Sequence, residues 1–102
     1  MILDFTEHAT ADLQDISSYT LDTWGAEQEE KYLKNLYRKF SEILESPDRW
    51  RFREDLFPRC QVAFEGRHLI LFQVNDDVLL IVRILHGSMD LGRHVPGELR
   101  EE

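Results

Sequence analysis

The chain has 102 residues, 42% of them apolar, and a formal net charge of −8 from 12 basic and 20 acidic side chains. That length fits one compact domain burying roughly 60–70% of its unfolded surface, and the acidity excludes a generic nucleic-acid-coating protein, which needs net cationic surface. The lone cysteine, Cys60, excludes an internal disulfide framework and a cysteine-rich zinc site, and the longest apolar run, Val78–Val82, falls far short of the ~20 residues of a membrane helix.

Ile2–Phe5 reads as a short strand with Leu3 and Phe5 on one face. The segment Met1–Glu7 carries Asp4 and Glu7 and no basic stretch, so no signal peptide is expected and the chain is read as soluble and cytoplasmic. Thr6 is placed to cap a helix, and Glu7 puts negative charge at its positive end. Ala9, Leu13, Ile16, Thr20 and Trp24 recur at intervals of three and four, which predicts a helix over 7–24 with one buried face. Gly25 suits the position just past a helix end, where positive φ is common. A second helix is predicted over 26–45, with Leu33, Leu36, Tyr37, Phe40, Ile43 and Leu44 on its apolar stripe, stopped by Ser46-Pro47. With only a glycine between them, the helices fold back as an antiparallel hairpin, each about 27–30 Å long.

Residues 46–59, with Pro47 and Pro58, read as an irregular link. Three strands follow at Cys60–Phe64, Arg67–Val74 and Val78–Leu85, joined by Glu65-Gly66 and Asn75-Asp76-Asp77, the tight connections of antiparallel neighbours. The last strand is apolar on both faces, which predicts a central position. Beyond Gly87 the chain holds Pro96 and Gly97 and allows at most a short helix, with an acidic tail over about 95–102. The order β-α-α-β-β-β predicts a single α+β domain over residues 1–102: a helical hairpin on one face of a small, curled, mainly antiparallel sheet, the other face left uncovered.

The acidity belongs to the first half: residues 1–48 hold 11 acids against 4 bases, and residues 49–102 hold 9 against 8. A carboxylate or polyanion partner is therefore expected to meet the second half. The sequence has no GxSxG, no phosphate-binding glycine loop and no HExxH, and His8, His68, His86 and His94 lack metal-ligand spacing, so no metal and no cofactor are expected. In Arg49-Trp50-Arg51-Phe52-Arg53, with Phe57 and Arg59 nearby, cations alternate with aromatics. This suits stacking on bases and gripping phosphates, and equally a loop whose aromatics cap the hairpin while its arginines pair with Glu54, Asp55 and the acidic helices. His68 alternates with Ile70, Phe72 and Val74 and reads as the end of a strand face. Arg83 lies inside an apolar run and must find a partner, Asp90 being one candidate. Arg83 and His86 also suit an electrostatic stabiliser and an acid/base, although three residues apart on a regular strand they point to opposite faces unless the chain bulges. Trp24, Tyr32 and Trp50, near element ends, are expected mainly in the core, with a groove for a partner helix as the other use.

These residues resemble a family. Phe64-Glu-Gly-Arg-His-Leu-Ile-Leu-Phe (64–72), Ile81-Val-Arg-Ile-Leu-His-Gly-Ser-Met-Asp (81–90) and Arg93-His94 are similar to ParE toxins of the RelE/ParE superfamily. So are Ala11-Asp-Leu-Gln-Asp-Ile-Ser-Ser-Tyr-Thr (11–20), Trp24-Gly25, Gln28, Tyr32-Leu33 and Ser46-Pro47, and the match runs from about residue 3 to 94. The resemblance implies the βααβββ fold and a bacterial toxin, associated with DNA gyrase inhibition and plasmid stabilisation, neutralised by a cognate ParD-like antitoxin. It implies no enzyme; the RelE branch instead cuts messenger RNA on the ribosome with clustered basic residues and a C-terminal tyrosine or histidine. This chain has no lysine after Lys39 and no tyrosine after Tyr37, which favours gyrase over RNA as target, with His86 keeping the nuclease alternative in view. A non-toxic member kept as an antitoxin-binding module is the third reading. The expected target surface is Arg83, His86, Met89, Asp90 and Arg93; the expected antitoxin contacts are Trp24, Tyr32 and Trp50.

Overall fold

The computed structural model describes residues 1–95 and runs β1 (Ile2–Phe5), α1 (Glu7–Trp24), α2 (Ala26–Glu45), β2 (Arg51–Phe52), β3 (Gln61–Glu65), β4 (His68–Asn75) and β5 (Val78–His86). Short 3-10 helices occupy Pro47–Arg49 and Leu91–His94. Both α-helices keep the limits read from the sequence. Extended Thr6 accepts the Ala9 N–H on its hydroxyl at 3.0 Å, which fixes the start of α1. Gly25, at φ +93°, closes α1 through its N–H to the Leu21 carbonyl and opens α2 directly. Pro47 stands in the first turn of the 3-10 helix, where its missing N–H is tolerated.

The sheet order is β1-β5-β4-β3-β2. Strands β2 to β5 pair antiparallel, and β1 lies parallel to β5, with Ile2 opposite Val78 and Phe5 opposite Ile81. β5 is therefore central, as its two apolar faces require. The three predicted strands shift by a residue at their ends, and β2 falls in the segment expected to be irregular. Two exposed residues, Arg51 and Phe52, leave no alternation to detect.

β1 stops at Phe5, so the second half of β5 is paired with β4 on one side and has no strand on the other. Its backbone groups are satisfied by α1 instead: the Thr6 hydroxyl donates to the Val82 carbonyl at 2.6 Å, and the Ile84 N–H donates to Asp12 at 2.9 Å. Here β5 also bulges, for Leu71 stands opposite Arg83 while Phe72 stands opposite Ile81, and Val82 is the extra residue.

Two apolar clusters sandwich the sheet. Ile16, Leu36, Phe40, Ile70, Phe72 and Ile81 join the helices to one face. The other face, expected to be bare, is covered: Leu71, Val82 and Leu85 pack with Leu56 and Phe57 from the β2–β3 link and with Val95. Strands apolar on both sides require both to be buried, and the irregular segments supply the cover. The expected acidic tail lies, from residue 96 on, outside the described residues; Val95 itself is buried. Among the described residues no helix is long and apolar enough to cross a membrane.

Candidate functional site

Arg83 follows the bulge and shares the orientation of Leu85, facing away from His86. Its guanidinium grips Asp12 of α1 with Nε to Oδ2 at 2.8 Å and Nη2 to Oδ1 at 2.7 Å, while Nη1 donates to the His94 carbonyl. The side chains are only 15% and 11% exposed, so this is an ion pair taken largely out of water. The bonds to Asp12 hold the Arg83 pKa above the ordinary arginine value. The sequence-based candidate partner, Asp90, is corrected: Asp90 is exposed and reaches Arg93 at 3.5 Å. α1 lies along the strandless edge of β5, which puts Asp12 beside Arg83, whereas Asp90 belongs to the exposed segment after the strand.

Asp12 was not singled out in the sequence. The signal available was an acid on the buried face of α1, three residues after Ala9 and four before Ile16, together with a base in an apolar strand. Asp12 thus joins α1 to β5 through one carboxylate, and Arg83 carries the link on to the His94 carbonyl.

His86 ends β5 opposite His68, which starts β4, and the rings meet edge to face at 5.6 Å. The His68 Nδ1 contacts the Tyr32 hydroxyl at 2.5 Å, and that hydroxyl donates to the Glu65 carbonyl at 3.0 Å. Burial, followed by the neighbouring His86, lowers the His68 pKa below the ordinary histidine value. Burial raises the Tyr32 phenol, which stays neutral. His68 is thus one corner of a cluster, not merely the end of a strand face; its partners lie 18 and 36 residues away, beyond any local spacing rule.

Tyr32 depends on Gly66, at φ +57°, where an added Cβ would come 2.7 Å from the hydroxyl and 2.8 Å from a ring carbon. Gly66→Ala is therefore expected to cost about 1–3 kcal/mol, by strain at positive φ and displacement of Tyr32, read by urea denaturation. An unchanged midpoint would show that the turn accommodates the methyl.

Beyond β5, Met89 is 40% exposed, and Asp90 and Arg93 are exposed. Asp90 and Arg93 border an open cleft of about 720 Å³ whose other wall includes Asp55, Leu56, Phe57 and Pro58. The structure therefore separates the expected target residues: Arg83 is engaged inward, His86 is half-buried against His68, and Met89, Asp90 and Arg93 are presented to solvent.

The basic–aromatic segment largely pairs within the protein. Arg53 holds Asp55 through two bonds of 2.8 Å, and Arg59 donates to Asn75. Arg49 lies over the Trp50 ring at 4.7 Å and Lys39 over it at 5.2 Å. Arg51 and Phe52 remain exposed. Trp50 packs against the helix-side cluster and Tyr32 is partly buried there, as expected. Trp24 is not: it is 68% exposed. It occupies the tip of the hairpin, where residues 21–28 are all exposed and the facing turn of α2 offers no apolar partner.

Cys60 is fully buried, and burial pushes its thiol up to about 12. The folded chain is expected to resist maleimide at pH 7.5 and to react on denaturation; rapid stoichiometric labelling of folded protein would contradict that burial.

Residues 3–91 match the family model described as ParE toxin of type II toxin-antitoxin system, parDE. The chain is 32% identical over 90 residues to Toxin ParE1 of Caulobacter vibrioides, covering 88% of this chain and 93% of that one. It is 30% identical over 88 residues to Toxin ParE1 of Mycobacterium tuberculosis, covering 85% and 90%. Among solved structures it is similar to a chain of the chromosomal ParDE TA system from P. aeruginosa, with TM-score 0.72, 20% identity and coverage of 84% and 95%. It is also similar to a mutant of E. coli toxin RelE in the free state, with TM-score 0.61, 21% identity and coverage of 92% of each chain.

Proposed function

The chain belongs to the ParE family of toxins of type II toxin–antitoxin systems, and we propose that it acts by binding rather than catalysis, inhibiting DNA gyrase in the cytoplasm until a cognate ParD-like antitoxin neutralises it. The family match over residues 3–91 carries this reading. The surface assigned to the target is His86, Met89, Asp90 and Arg93, with Arg83 holding the strand end that presents them. Met89 supplies an apolar anchor, and Arg93 beside the cleft supplies a charge for orientation.

The antitoxin is assigned to the helical hairpin. Exposed Trp24 marks its tip, and a groove of about 310 Å³ lined by Leu13, Ser17, Leu33 and Tyr37 runs between the helices. An amphipathic segment laid from Trp24 past Tyr32 to Trp50 follows α2 for about 30 Å, at 1.5 Å per residue. With a net charge of −8, apolar contacts are expected to dominate that complex. Trp24→Ala should weaken it by about 2 kcal/mol, close to thirtyfold, in a titration calorimeter. Hydrogen exchange should show protection over α1 and α2; protection confined to residues 86–95 would contradict the placement.

A ribosome-dependent mRNA endoribonuclease is the second reading, favoured by the clustering of Tyr32, His68 and His86, which are groups able to donate and accept protons. The two separate in cells. Induced expression should change plasmid topology while leaving translated messages intact. Cleaved messages that become intact with His86→Ala, with plasmid topology unchanged throughout, would establish the nuclease.

A further inference from the structure

We infer that His68 and His86 form a proton-operated latch, closed while both rings are neutral, that fixes the turn leading to Met89.

The backbone brings the rings together. The Gly87 N–H donates to the Arg67 carbonyl at 2.8 Å, which makes His68 and His86 the adjacent, non-hydrogen-bonded pair, where side chains stand closest. Their planes cross at 88°.

The hydrogen bonds fix where each ring keeps its proton. The Ser88 backbone N–H can only donate, and it donates to His86 Nδ1 at 3.2 Å, with the Ser88 hydroxyl on the same nitrogen at 2.7 Å. Neutral His86 therefore carries its proton on Nε2. Tyr32 has one hydroxyl proton, given to the Glu65 carbonyl, so its oxygen accepts from His68 Nδ1, and neutral His68 is bare at Nε2.

A second proton has only one place to go on each ring. On His86 it takes Nδ1 and displaces the Ser88 N–H, opening the turn. On His68 it places a cation in a half-buried site 5.6 Å from its partner. Charge on either ring opposes charge on the other.

The surroundings offer little compensation. From α1 comes Asp12, whose carboxylate is already matched to Arg83. From α2 comes Tyr32, a neutral phenol. From the end of β3 comes Glu65 and from the turn after it Arg67, of opposite sign. The lowered pKa of His68 agrees with this balance. Because the folded value lies below the ordinary one, the unfolded chain binds more protons: the stabilisation is complete above about pH 6.5 and is lost as pH falls through the folded midpoint. The latch acts on the turn before Met89 whichever macromolecule that surface meets, so it stands apart from the gyrase reading.

Histidine-ring NMR of the full chain from pH 4.5 to 8, with the Ser88 amide followed in the same samples, tests it. The expected result is a His68 midpoint below that of an unstructured histidine, rising by about 0.5–1 pH unit in His86→Gln as the like charge is removed. The Ser88 amide should shift as a proton on His86 Nδ1 displaces it. His86→Asn removes the same charge with a smaller side chain and should raise the His68 midpoint alike, which keeps the test open if the first variant fails to fold. A His68 midpoint that ignores both substitutions, or a Ser88 amide that does not move as His86 takes up its proton, would overturn the latch.

Discussion

Asp12→Ala lowers the stability of the chain by about 3–5 kcal/mol, the cost of leaving one member of a buried, hydrogen-bonded ion pair alone. Three bonds disappear at once: the two from Arg83, and the Ile84 N–H that the carboxylate satisfies on the side of β5 that β1 no longer covers. Some of the loss is the orphaned amide, worth about 1–3 kcal/mol by itself. For a domain of this size the melting temperature should fall by at least about 12 °C. The interaction is separated from simple loss of volume by the double variant Asp12→Leu/Arg83→Met, which removes both charges and should recover the part of the loss due to the stranded arginine, leaving the cost of the orphaned Ile84 amide. If Asp12→Ala costs under about 1 kcal/mol, the pair is not what holds α1 against β5.

If the chain inhibits gyrase through the proposed surface, Met89→Ala with Arg93→Ala is expected to reduce that inhibition at least thirtyfold, on the order of 2 kcal/mol of binding, with stability altered by no more than about 0.5 kcal/mol per site. Both residues are exposed and neither carries a core contact, so their loss reports on the target surface alone. Arg83→Ala cannot serve that purpose. It releases Asp12 and the His94 carbonyl together, so lost toxicity in that variant would follow from a loosened fold. Titrating the double variant against gyrase alongside its urea denaturation curve gives both readings. Full inhibition by a folded double variant would move the target surface elsewhere.

Much of the fold was legible because its signals are local. Thr6, Gly25 and Pro47 punctuate two helices whose apolar residues recur at helical spacing, and the two tight turns divide three apolar runs into antiparallel strands. The parallel pairing of β1 with β5 was not legible, since it joins residues 76 positions apart through no shared pattern. Nor was the covering of the second sheet face, which depends on Leu56 and Phe57 in a segment without periodicity. In the candidate site, Arg83 announced itself as a charge in an apolar strand, but its partner had to be found in space. Asp90 is near it in sequence and turned to Arg93; Asp12 is 71 residues away and in contact. Trp24 followed the helical spacing of α1 to the end, yet a stripe is buried only where something faces it, and at the hairpin tip nothing does.

The most direct measurement is DNA gyrase assayed with the purified, folded chain, scoring supercoiling and cleaved DNA together, with and without the cognate antitoxin. The expected result is loss of supercoiling with accumulation of cleaved DNA, both suppressed by stoichiometric antitoxin. Unaffected gyrase at saturating folded protein, with cleavage of messenger RNA on translating ribosomes by the same preparation, would contradict it.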